Sequence, residues 1–182
     1  MHADKSRCKK IEQLLKDAWS VRREGQYDEG KAILEEAKSL CKETDFKYNG
    51  RILAIYAQYD RDNGQLESAL DRSRKSRDLY QASGDQLLVA HSVRHIADIL
   101  SSLGNTLKAL ENYGEALEIY RLHPECDKQS LANTLRPYGL LLLKMKDDKM
   151  AKAFLLEAKA LYEETGTPAG VEEMQSVIDS ID

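Results

Sequence analysis

The 182-residue chain holds only three prolines, three cysteines and one tryptophan, and each scarcity excludes something. With so few prolines there is little to interrupt a helix, and abundant Ala, Leu, Glu, Lys, Arg and Gln favour helix throughout. The cysteines (Cys8, Cys41, Cys126) are odd in number, widely spaced and form no CxxC pair. That argues against a disulfide framework and for reduced thiols in a reducing compartment. The longest apolar run, Leu140 to Leu143, is far too short to span a bilayer, and the first ten residues contain no apolar signal core. A cytoplasmic protein with no membrane partner is expected. The formal net charge is −4, so there is no global basic field, and nucleic acid is not an expected partner. No Gly-rich phosphate loop, nucleophile elbow or HExxH motif occurs, and no strand pattern offers a pocket wall. The expectation is therefore no enzyme, no catalytic residue, no cofactor and no metal. With 42% hydrophobic and 32% charged residues, the composition is that of a soluble, folded, strongly helical chain.

What the chain does have is internal repetition. Four segments share one pattern, a helix-ending turn followed five residues later by a small residue: Gly25 to Gly30, Gly64 to Ala69, Gly104 to Ala109 and Lys146 to Ala151. The turns are spaced by 39, 40 and 42 residues. Seven residues before each turn stands another small residue (Ala18, Ala57, Ala97, Gly139), which lets the two helices of a hairpin approach closely. Apolar residues recur at i, i+3, i+4 and i+7, as in Val93, Ile96, Ala97, Leu100 and Leu103, so the segments between turns are amphipathic helices. The expected architecture is all-α: four helical hairpins at about 5–43, 46–82, 86–122 and 128–164, closed by a capping helix at 169–180. The cap carries Val171, Met174, Val177 and Ile178 on its apolar side and Glu172, Glu173 and Asp179 on the other. Pro137 should kink or reset the first helix of the fourth pair.

The chain resembles the tetratricopeptide repeat family over nearly its whole length, most closely at residues 93–120. There Ala97, Leu100, Gly104, Ala109, Tyr113 and Ala116 fall where that family places its small and aromatic packing residues. The period is near 40 rather than 34, as in long-period repeats of bacterial type. The resemblance implies a right-handed α-α superhelix, a single solenoid over residues 1–182 whose first helices line a concave groove. It also implies a protein- or peptide-binding scaffold or adaptor.

The inward positions of the first helices then become the candidate ligand contacts. They include Trp19, Arg51, Gln58, and the stripe His91, Arg94, His95 and Asp98 at i, i+3, i+4 and i+7. Asn133 and Arg136 stand 42 residues beyond His91 and Arg94 and should lie beside them. Arginine presents a planar fork matched to carboxylate or phosphate, and Asp98 could orient Arg94 or His95. The stripe reads either as a groove for an acidic or carboxylate-bearing segment or as a solvated face. Two other functions share the same chain: a self-associating module, a homodimer packing through Leu15, Leu140 and Leu143, or a small-anion sensor. A metal on His91, His95 and Asp98 is disfavoured, because Arg94 in their midst repels a cation.

Overall fold

One hydrogen-bond pattern recurs at every hairpin bend. At Gly25, Gly64, Gly104 and Lys146 the chain turns left-handed (φ 77°, 73°, 77° and 63°). Each of these residues donates its N–H to the carbonyl three residues back, and the next residue donates to the carbonyl five back, as in Gly25 to Arg22 and Gln26 to Val21. The paired bonds satisfy carbonyls that a helix end leaves open, and glycine adopts the conformation without a Cβ penalty. Gly84 and Gly166 repeat the pattern between hairpins.

The computed structural model describes residues 2–181, which contain nine α-helices and no strand. They are α1 (His2–Arg23), α2 (Tyr27–Leu40), α3 (Phe46–Asp62), α4 (Leu66–Ser83), α5 (Gln86–Ser102), α6 (Thr106–Leu122), α7 (Lys128–Lys144), α8 (Asp148–Glu164) and α9 (Pro168–Asp179). The four hairpins and the cap fall where the repeat places them. Helix α7 runs through Pro137 without a break in helical structure. The chain divides into two compact units, Met1–Ser92 and Val93–Asp182.

In the first unit, Ile11, Leu15 and Ala18 of α1 pack with Leu34 and Ala37 of α2 and with Ile52, Ile55, Tyr56 and Tyr59 of α3. Leu15 is fully buried, which removes it from the self-association surface expected from sequence. It lies four residues from Ile11 and three from Ala18, on the apolar stripe of α1, and burying such a side chain contributes roughly 1.5–3 kcal/mol. The Tyr59 hydroxyl donates to the carbonyl of Ala18 at 2.7 Å and lies over the bare backbone of Gly30.

In the second unit, Leu117 of α6, Ala132 and Leu135 of α7, Leu155, Ala158 and Tyr162 of α8 and Met174 and Ile178 of α9 form one core. Leu140 and Leu143 pack against it, partly buried, rather than standing free on the surface. All the small hairpin residues are buried, among them Ala18, Ala57, Ala97, Ala69, Ala109 and Ala151 at 0% exposure.

A second regularity joins successive hairpins within each unit. Arg7 pairs with Asp45 and Lys47 with Asp85, both 38 residues apart, and Arg22 pairs with Asp62 at 40. In the second unit Thr167 donates to Gln129, again 38 residues apart, and Arg121 pairs with Glu157 at 36.

Candidate functional site

In the second unit the expected side chains fall into two sets, one on α5 and one on α7. On α5, Arg94 Nη1 reaches Asp98 Oδ2 at 3.3 Å and His95 Nδ1 lies 3.4 Å from the same oxygen. Arg94 Nη2 also lies 2.8 Å from His95 Nε2. A guanidinium has no lone pair to offer, so His95 Nε2 is the acceptor in this contact and Nδ1 faces Asp98. Tyr113 of α6 donates to the other oxygen of Asp98 at 2.7 Å. Burial alone would raise the Asp98 carboxyl, but bonds and charges from His95, Arg94 and Tyr113 outweigh it and hold the group below its ordinary value. Asp98 thus does orient its neighbours, as its spacing suggests.

On α7, Asn133 Oδ1 accepts from Tyr162 of α8 at 3.0 Å and from Gln129 at 3.1 Å. Arg136 meets Glu173 of α9 with two parallel bonds, Nε to Oε2 at 2.8 Å and Nη2 to Oε1 at 2.6 Å. The bond to Glu173 raises Arg136 above its ordinary value against the cost of partial burial. Burial and the Glu173 charge push up the Tyr162 phenol, while the charges of Arg136 and Arg94 pull it down. Tyr120 of α6 is nearby in the same field: burial raises it to about 12 with the Arg94 charge acting against the shift.

Of the residues expected to form the site, Arg94, His95 and Asp98 contact one another on α5, and Asn133 and Arg136 stand on α7 with partners of their own. His91 stands half-buried three residues before Arg94 on α5. Trp19, Arg51 and Gln58 belong to the first unit. The Trp19 ring is 37% exposed with the Arg22 guanidinium 4.7 Å from its centre, and Arg51 is exposed. Gln58 is only 3% exposed and presents no side chain to solvent.

Sequence reasoning missed Tyr113, Tyr162, Gln129 and above all Glu173, which it placed on the solvent side of the cap. Glu173 follows Arg136 by 37 residues, close to the offset of the other inter-hairpin pairs, and that offset was the available signal. Two arginines face two carboxylates, Arg94 with Asp98 and Arg136 with Glu173, so neither guanidinium is left unbalanced. Among the described residues no group of three His, Cys, Asp or Glu side chains could hold a metal ion, and no helix is long and apolar enough to cross a membrane.

A family model described as tetratricopeptide repeat matches residues 50–122 and 86–164. No curated protein matches the chain. Among solved structures it is similar to BtubC (BKLC) from P. vanneervenii, with a TM-score of 0.68 and 16% identity over 97% of this chain and 88% of that one. It is also similar to putative kinesin light chain nearly identical TPR-like repeats from Podosopora anserina, with a TM-score of 0.56 and 15% identity over 94% of each chain. A point variant of those same repeats gives 0.55 and 15%, over 94% and 93%. At these identities the likeness is one of fold.

Proposed function

The chain belongs to the tetratricopeptide repeat family, whose members are generally non-enzymatic scaffolds for protein–protein interaction, and on that premise we propose that it is a binding module for an acidic or carboxylate-bearing segment of a protein or peptide. The observation that supports this reading is Arg136. Its fork is about two-fifths exposed and already grips a carboxylate side-on through two nitrogens. That is the two-point geometry by which arginine selects a planar anion. Arg94 and the Asn133 amide stand on the same side of the unit, so an incoming segment would meet further donors beyond the first contact. Asp98, fixed by three neighbours, serves as a wall that holds Arg94 in place rather than as a free charge. Of the residues expected to carry self-association, Leu15 lies in the core of the first unit, and Leu140 and Leu143 are partly buried in the second.

The test uses hexapeptides carrying a neutral dye at the N-terminus, one all-glutamate with an amidated C-terminus and one of glycine and serine with a free C-terminal carboxylate. Fluorescence anisotropy should show binding of one of them that weakens with salt, since exposed charges are screened over about 10 Å at 0.1 M. Arg136→Ala should weaken it about two- to fivefold, in line with loss of a half-exposed bidentate contact. Equal binding by parent and Arg136→Ala would remove the reading.

A further inference from the structure

Arg94 and Arg136 are both paired, but the two carboxylates that hold them are not equivalent. Asp98 is 19% exposed and sits within bonding distance of Arg94, His95 and Tyr113. Displacing it would strand a largely buried charge, which is costly. Glu173 is 41% exposed, and its bonds are to Arg136 alone among the described hydrogen bonds. An ion pair this open to water is worth little, typically below about 1 kcal/mol, so water or another carboxylate can exchange with it. The helix that carries it does not depend on it. Helix α9 is anchored by Met174 at 0% and Ile178 at 7% exposure in the core, and by the bond between Thr167 and Gln129. The Glu173 side chain can therefore swing away while α9 stays docked.

We propose that Glu173 of the capping helix is an internal occupant of the Arg136 site, a carboxylate that a partner's carboxylate must replace in order to bind. This rests on the reading of Arg136 as a carboxylate site. Two consequences follow from chemistry alone. Affinity is lowered by competition from a group that is always present, so weak or singly charged segments are screened out. The replacement also conserves the bidentate geometry, so the incoming group must offer two oxygens to the Arg136 fork, as a carboxylate does.

Glu173→Gln retains the shape of the side chain but loses its charge. In the anisotropy assay this variant should bind the responding hexapeptide about two- to fivefold more tightly than the parent, the range set by the worth of an exposed pair. The same change made on an Arg136→Ala background should produce no gain. Helix α9 is checked by hydrogen exchange of its backbone amides, which should be unchanged in Glu173→Gln. Should that variant loosen the cap, Glu173→Ser, which withdraws the carboxylate without an amide, supplies the same comparison. If Arg136→Ala loses binding while neither Glu173 variant gains any, the occupant proposal is overturned and the carboxylate site survives. If Arg136→Ala binds like the parent, or no peptide binds any form, both are overturned.

Discussion

Replacing Gly30 with alanine sets two well-known effects against each other. Gly30 lies in the first turn of α2, and alanine is favoured over glycine inside a helix by about 1 kcal/mol. A Cβ built on Gly30, however, falls 1.6 Å from the Tyr59 hydroxyl oxygen and 2.5 Å from its ring carbon Cζ. Tyr59 is fully buried and cannot swing into solvent, and its hydroxyl is fastened to the Ala18 carbonyl. Accommodating the methyl means breaking that bond and shifting the ring, at about 1–3 kcal/mol for the buried hydroxyl and about 1–3 kcal/mol for overpacking. The steric side wins: Gly30→Ala should destabilise the protein by roughly 1–5 kcal/mol after the helix gain is subtracted. Urea denaturation followed by circular dichroism measures it. In a Tyr59→Phe background, with the nearest atom gone, the same substitution should cost at least about 1 kcal/mol less, a coupling visible in a double-mutant cycle. A Gly30→Ala protein as stable as its parent, or an equal penalty in both backgrounds, would refute the argument.

Two further outcomes are expected. Lys146 is exposed and left-handed at φ 63°, where a side chain costs about 1 kcal/mol or more, so Lys146→Gly should stabilise the protein by roughly 0.5–1 kcal/mol and raise Tm by a few degrees. Tyr80 and Tyr120 are both held at about 12 by burial, so the folded protein keeps protons that an unfolded chain gives up near 10. Their contribution is complete below pH 10 and is lost as pH rises toward 12. The difference is roughly 2–3 kcal/mol for each ring, read as a steep fall in urea midpoint alongside delayed tyrosinate absorbance.

Much of the fold was legible because one device is repeated. The left-handed turn at Gly25, Gly64 and Gly104 and the small residues on either side mark each hairpin in the sequence, and the fourth is found at Lys146 by spacing alone. Helix α2 ends at Leu40, three residues before the boundary expected at 43, because Cys41 is extended. The candidate site was legible only in its cations. The repeat offset gives α5 and α7 equivalent positions, but which carboxylate neutralises which arginine depends on side-chain reach. For Glu173 that reach crosses from the cap to α7. Gln58 shows the converse limit: a polar side chain placed at the surface by pattern lies among buried neighbours, since Ile55 through Asp60 of α3 are all buried.

The pairs that link each hairpin to the next make the array editable. Asp45 precedes α3 as Asp85 precedes α5, and each meets a basic residue near the start of the preceding first helix, Arg7 for the one and Lys47 for the other. Deleting residues 46–85 would leave Asp45 directly before Gln86, still opposite Arg7, with the departed Lys47 and Asp85 cancelling each other. A duplication of the same length would add its own matched pair. Unequal recombination at these points would therefore lengthen or shorten the array by whole hairpins and keep Asp45 matched to Arg7, while a deletion takes Asp62 away from Arg22.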